Sequence, residues 1–82
     1  MERRMKKTIA GAEYDTESAE LIYKFTEGAL GDSFGYEEIL YKTEEGRYFL
    51  YMNGGAESPY PKENIKRMSP ARADEWLSSK RK

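Results

Sequence analysis

The 82-residue chain contains no cysteine and no histidine. The lack of cysteine excludes disulfides and thiolate metal sites, which often supplement the small core of a chain that buries only about 60–65% of its unfolded surface. The lack of histidine removes the commonest general base and the commonest transition-metal ligand. We therefore predict that the protein is not an enzyme and uses neither a metal nor a cofactor.

Long apolar runs are also missing. No segment approaches the ~20 apolar residues of a membrane span, and no apolar signal segment follows the basic N-terminus, so we expect a cytoplasmic protein. The length fits one domain, which we place at residues 6–79. Because Met5 is a second plausible translation start, we expect a flexible extension at 1–5, and residues 80–82 form a basic tail.

The charges are sorted along the chain. Residues 12–57 hold eleven acids and three bases, residues 1–11 have a net charge of +3, and residues 58–82 have a net charge of +4. The formal net charge of −1 therefore hides an acidic middle between basic ends. Such a field can steer a charged partner towards the protein.

The first half of the sequence suggests a hairpin followed by a helix. A hairpin is predicted over 7–14 with Ala10 and Gly11 in the turn, although Ala10 suits a type I′ turn poorly. Asp15 occupies an N-cap position before apolar residues at helical spacing, which predicts a helix over 15–27. Gly28 then begins a loop over 28–34.

Two aromatic-rich strands are predicted next, over 36–42 and 47–52. A four-residue connecting loop would pair Lys42 with Arg47, whereas a three-residue loop would pair Thr43 with Arg47. The two registers place opposite sets of side chains in the core, and the sequence leaves both open.

The remainder contains a glycine- and proline-rich loop over 53–61, predicted to be mobile or functionally shaped, an optional third strand over 65–68, and a helix over 70–79 capped by Ser69. The predicted fold is α+β: a small antiparallel sheet, made of the N-terminal and central hairpins, packed against two helices. The expected core residues are Ile22, Phe25, Ile39, Leu50, Trp76 and Leu77.

Acidic side chains of the central hairpin are the first candidate binding site. Glu37 and Glu38 are adjacent on a strand and point to opposite faces, so they cannot share a metal ion. Glu44 and Glu45 lie in the connecting turn, where solvated charge is the plainer interpretation. Asp32, together with Glu27, offers cation ligands but lacks the spacing of an EF-hand.

Aromatic and basic residues give an alternative site. Five of the seven tyrosines fall on or beside the predicted sheet, where Tyr36 and Tyr51 would anchor a protein partner if they face outwards. The alternative is a nucleic-acid-binding module that uses the basic ends and sheet tyrosines. Its candidate residues are Tyr60, Lys62, Lys66, Arg67 and Arg72.

Several segments together resemble a known family. They are YDTESA at 14–19, EILYKT at 38–43, GRYFLY at 46–51, GGA at 54–56 and MSPARADEWL at 68–77. In this order they are similar to a family of small, mostly uncharacterised proteins carried by phages and integrative elements of Gram-positive bacteria. The first turn of the last helix is less acidic here than in that family.

The resemblance implies an accessory protein of a mobile element that binds and blocks a host protein. The most concrete version is an anti-CRISPR-like antagonist whose acidic surface occupies the nucleic-acid channel of a CRISPR effector or another nucleic-acid-handling protein. The residues expected to bind that partner are Asp32, Tyr36, Glu37, Glu38, Glu44, Glu45 and Tyr51.

Overall fold

The computed structural model describes residues 6–28 and 32–80. Within these ranges the chain forms six strands and one helix. The elements are β1 (Lys6–Ile9), β2 (Ala12–Asp15), β3 (Glu20–Glu27), β4 (Tyr36–Lys42), β5 (Tyr48–Gly54), β6 (Asn64–Met68) and α1 (Pro70–Lys80). The predictions for residues 1–5 and 81–82 lie outside the described residues, as do residues 29–31 of the loop predicted over 28–34.

The strands form two antiparallel sheets. β3, β4, β5 and β6 are hydrogen-bonded in sequence order, and β1 and β2 form a separate hairpin. The hairpin packs on one face of the four-stranded sheet and α1 packs on the other. The protein therefore has three layers with the sheet in the middle.

Each face of the sheet has its own apolar core. On the hairpin side, the buried residues are Tyr14, Ile39, Tyr41, Phe49, Tyr51 and Ile65. On the α1 side, they are Leu40, Leu50, Met52 and Ala73, with Ile22, Trp76 and Leu77 partly buried against them. Because both faces are covered, β4 is buried at five consecutive positions, Glu37 to Tyr41.

The predicted α+β fold with two helices is wrong. Residues 15–27 form a turn followed by β3, so the described residues contain one helix and are mostly sheet. The N-cap interaction predicted at Asp15 does form, but it caps a single turn and no helix follows. Its carboxylate accepts the backbone N–H of Glu17 (2.9 Å), and its carbonyl accepts the N–H of Ala19 (3.1 Å), which closes a single turn.

A β-bulge explains why β3 resembles a helix in sequence. The register shifts between Leu21 and Tyr23, where Leu21 pairs with Tyr41 and Tyr23 pairs with Leu40. In a regular strand, residues three apart point to opposite faces, but an inserted residue restores them to the same face. Ile22 and Phe25 can therefore both lie on the α1 side, and their spacing of three mimics helical periodicity.

The central hairpin has the register of the three-residue loop. Lys42 pairs with Tyr48, and the N–H of Thr43 donates to the carbonyl of Arg47 (2.8 Å). The Thr43 hydroxyl also accepts the N–H of Arg47 at 3.0 Å, and Gly46 has a φ of 89°. This register places Ile39 and Tyr41 beside Phe49 and Tyr51 in one core cluster.

The glycine-rich loop after β5 is fastened to the loop before β4. The N–H of Gly55 donates to the carbonyl of Gly35, and the N–H of Glu57 donates to that of Ser33, both at 2.9 Å. A Cβ atom at Gly55 would lie 2.4 Å from the Ser33 carbonyl oxygen. Close backbone packing therefore requires glycine here. The optional third strand is present as β6, and the C-terminal helix is present as α1.

Candidate binding groove between β6 and α1

An open groove of about 380 Å³ runs between β6 and α1. Its lining residues include Lys66 and Arg67 from β6 and Arg72, Glu75 and Trp76 from α1. We call this feature the basic groove.

Lys66 pairs with Leu50 of the α1-side core and so points towards α1, whereas Arg67 pairs with Phe49 of the hairpin-side core and points to the other face of the sheet. The groove therefore combines two cationic side chains, those of Lys66 and Arg72, with one carboxylate and one large aromatic ring.

Local sequence signals place the helical wall of the basic groove. The Ser69 hydroxyl accepts the backbone N–H of Arg72 (3.2 Å), which caps the helix and fixes where α1 begins. Residues 72, 75, 76 and 79 follow the three-and-four spacing of one helical face, and all four line the groove. The β6 wall is an edge of the four-stranded sheet.

The cations of the basic groove are accessible. Lys66 and Arg72 are both exposed. Within residues 6–28 and 32–80, no ion pair neutralises either of them. Their charges are therefore available to an anionic ligand, opposed within the groove only by Glu75.

Trp76 is held in place from behind the groove. Its indole N–H donates to Oε1 of Glu38 at 2.9 Å, and its ring meets Tyr23 edge to face, with 6.1 Å between ring centroids. The Lys80 ammonium lies 3.5 Å from the same Glu38 oxygen. Since the only polar atom of the indole is already bonded, the ring can offer the groove only its carbon surface.

Tyr60 completes this network from the loop before β6. Its hydroxyl donates to Oε2 of Glu38 at 2.5 Å. Burial, followed by the hydrogen bond to Glu38 and the negative charge of that carboxylate, raises the pKa of Tyr60 to about 12. Glu38 therefore joins β4 to α1 and to the loop before β6. It is a structural centre and is not exposed to a partner.

The structure separates the acidic residues of the expected partner site. Glu37 and Glu38 are buried, and the Glu37 carboxylate lies 3.7 Å from the ammonium of Lys24. Glu44 and Glu45 are exposed in the β4–β5 turn. An acidic surface in this region would thus contain the turn residues but not the two strand residues.

The remaining residues of that expected site lie elsewhere. Asp32 is exposed and its carboxylate accepts the N–H of Phe34 at 3.0 Å. Tyr36 is half-buried with its ring against Tyr60. Tyr51 is 1% exposed and donates its hydroxyl to Glu63 at 2.8 Å, so it does not face outwards as an anchor.

The alternative basic site is brought together in part. Lys66 and Arg72 lie on the two walls of the basic groove. The side chain of Arg67 points to the hairpin face of the sheet, and Lys62 is exposed in the preceding loop and does not line the groove. Tyr60 is committed to Glu38. The apolar pattern predicts Trp76 only as a core residue, but its spacing of four from Arg72 indicates that the two residues share a face of α1.

Among the described residues, no group of three or more acidic side chains is arranged to hold a metal ion. The same part of the chain contains no helix with the length and apolar character needed to cross a membrane. The sequence matches no protein-family model. Searches of curated proteins and of solved structures likewise give no significant match.

Proposed function

We propose that this protein is a non-enzymatic binding module whose basic groove binds the phosphate backbone of nucleic acid. The observation that supports this proposal is the position of Lys66 and Arg72, exposed and without ion pairs to other described residues, on the two walls of one groove. Nucleic-acid phosphates are bound by such clusters, because each contact releases condensed counterions.

The overall charge of −1 does not oppose this function. The acids are concentrated in residues 12–57, whereas both walls of the basic groove come from the basic C-terminal segment. Local potential rather than net charge governs the approach of a polyanion, and at physiological salt it is screened within about 8 Å. A basic groove on a weakly acidic protein can therefore bind phosphates at close range.

A salt titration tests the proposal. Labelled single-stranded and duplex oligonucleotides are titrated with the protein at increasing salt while fluorescence anisotropy is recorded. Two phosphate contacts predict that the logarithm of the binding constant falls with the logarithm of salt concentration with a slope of about −1.4 for single strands. Absence of binding at low salt would contradict the proposal.

Charge reversal locates the site. Lys66→Glu and Arg72→Glu change exposed side chains on the two walls of the groove, so each should weaken binding about tenfold or more and reduce the single-strand salt slope by about 0.7. Lys62→Glu is the matched control, since it makes the same charge change outside the groove. Equal losses in Lys62→Glu and Lys66→Glu would show that binding does not depend on the groove.

A second function is the inhibition of a nucleic-acid-handling host protein, such as a CRISPR effector, through an acidic surface. The observation that favours it is the position of Leu21, which is 51% exposed at the end of β3 that lies next to the β4–β5 turn. Glu20 pairs with Lys42, just before the turn that contains Glu44 and Glu45. An apolar side chain near several exposed acids suits a basic protein surface.

This second function has a separate test. A purified effector is mixed with the protein, and its binding to nucleic acid is measured by anisotropy. The double variant Glu44→Lys/Glu45→Lys should inhibit less than wild type, mainly through a lower association rate. Glu27→Lys, at the other end of β3, is the control. Nucleic-acid binding that is unaffected by saturating wild-type protein would exclude antagonism of that effector.

A further inference from the structure

We infer that the basic groove selects single-stranded nucleic acid by stacking an unpaired base on Trp76. This inference rests on the proposed phosphate-binding function and adds the class of ligand. It follows from the position of Trp76, which lines the same groove as Lys66 and Arg72. Grooves that combine cations with aromatic rings bind single strands, because the cations follow the backbone and the rings stack the bases.

The bonding of Trp76 determines what kind of contact it can make. Its N–H is donated to Glu38, and Tyr23 packs edge to face against the ring. The part of the indole that faces the groove therefore has no hydrogen-bond donor to offer. It can stack a base but cannot read the base edge, so we expect binding that tolerates many sequences.

Anchoring by Glu38 also reduces the cost of binding. An unrestrained tryptophan would lose side-chain freedom when a base stacks on it. Here the indole is already held by the bond to Glu38, and the same carboxylate is held by Tyr60 and Lys80. The ring is therefore ordered before the ligand arrives.

Base stacking within a duplex disfavours it as a ligand of the groove. A duplex keeps its bases stacked on each other, so Trp76 could reach none of them without unstacking. The bases of a single strand are free to stack on the indole ring.

The direct test uses Trp76 as its own reporter, since it is the only tryptophan in the chain. Its emission is recorded while the wild-type protein is titrated with an oligothymidylate, with an abasic deoxyribose-phosphate strand of equal length, and with a duplex. The oligothymidylate should quench the emission and bind about fivefold or more tightly than the abasic strand, because only it carries bases. The duplex should leave the emission nearly unchanged.

The outcomes separate this inference from the proposed function. Equal affinity and equal emission for the oligothymidylate and the abasic strand would overturn base stacking, while salt-dependent binding of both would leave phosphate binding intact. Failure of all three probes to bind at low salt would overturn both proposals. Tighter binding of the duplex than of the oligothymidylate would also overturn the single-strand preference.

Substitution of Trp76 gives an independent measurement with labelled strands. Trp76→Leu should bring the affinity for oligothymidylate down to that of the abasic strand, and Trp76→Phe should keep part of the difference because it retains an aromatic face. Circular dichroism checks that each variant folds. If Trp76→Leu does not fold, the comparison of the three probes on the wild-type protein still tests whether a base stacks on Trp76.

Discussion

The carboxylate of Glu38 on β4 accepts the indole N–H of Trp76 on α1, with 2.9 Å between Oε1 and Nε1. The same carboxylate accepts the Tyr60 hydroxyl and lies near the Lys80 ammonium. No buried side-chain nitrogen or oxygen of the described residues lacks a hydrogen-bond partner. The buried Glu38 carboxylate is stabilised by several hydrogen-bond donors, and those donors would be left without an acceptor if it were removed.

We expect Glu38→Ala to lower the free energy of unfolding by about 2–4 kcal/mol, because it leaves the Trp76 N–H and the Tyr60 hydroxyl without their acceptor. Urea denaturation followed by circular dichroism measures the change. Glu38→Gln keeps one acceptor oxygen and should cost less. Glu45→Ala is the exposed control, for which a change within about 0.5 kcal/mol is expected. Similar losses for Glu38→Ala and Glu45→Ala would contradict the role assigned to Glu38.

The hydroxyl of Tyr60 predicts a stability change at alkaline pH. Its pKa is raised to about 12 in the folded protein, chiefly by burial and then by Glu38, against about 10 in an unfolded chain. The folded state therefore favours the protonated hydroxyl. Its contribution to stability is complete below pH ~10 and is lost as the pH rises through ~12.

Comparison with Tyr60→Phe isolates this contribution from the other groups that titrate at alkaline pH. Near neutral pH, Tyr60→Phe should be less stable than wild type by about 1–2 kcal/mol, since it loses a hydrogen bond to a carboxylate. The difference should shrink between pH ~10 and ~12. Urea denaturation at a series of pH values measures it, and a difference that stays constant over this range would show that Tyr60 is not the titrating group.

Gly55 should be intolerant of any side chain. A Cβ atom there would lie within 2.6 Å of three backbone atoms of Ser33, namely O, C and Cα. Backbone atoms cannot move aside as the end of a flexible side chain can. We expect Gly55→Ala to cost about 1–3 kcal/mol through forced backbone movement. In the control Gly46→Ala, an added Cβ meets nothing within 4 Å, and only the φ of 89° opposes it. A Gly55→Ala variant as stable as wild type in urea would contradict the close packing of these loops.

Local sequence signals correctly predict the positions of the elements that are defined by turns and caps. The Ala10-Gly11 turn, the Gly46 turn and the Ser69 cap each occur where the sequence predicts them. Each signal acts between residues that are close in sequence. The choice between two registers of the central hairpin needed tertiary packing, because both loop lengths are locally acceptable.

The helix predicted over residues 15–27 is wrong for a specific reason. The Asp15 cap closes one real turn, and the bulge near Ile22 imitates helical spacing. Pairing with β4 then overrides the local preference for a helix.

The sequence predicts the candidate site only in part, for a related reason. Lys66 and Arg72 line one groove because β6 pairs with β5 and α1 packs on the same sheet, and this long-range arrangement is not encoded by spacing.

Ala10 allows a prediction of increased stability. It has a φ of 52° beside Gly11 at 80°, and the flanking residues Ile9 and Ala12 pair directly, which defines a two-residue turn of type I′. An alanine in the left-handed region costs roughly 1–2 kcal/mol, whereas asparagine tolerates it and Asn-Gly is the preferred pair for this turn. We expect Ala10→Asn to raise the free energy of unfolding by about 0.5–1 kcal/mol.

Urea denaturation of Ala10→Asn measures the gain, with Ala56→Asn as the control because Ala56 is exposed and has no positive φ. The gain depends on the hairpin being docked on the sheet, where Tyr14 meets Phe49 edge to face with 5.5 Å between ring centroids. Relief of strain in this turn should therefore stabilise the whole domain. The urea concentration at the unfolding midpoint should rise, while the dependence of the unfolding free energy on urea concentration should not change. An Ala10→Asn variant that is no more stable than Ala56→Asn would show that the turn is not strained.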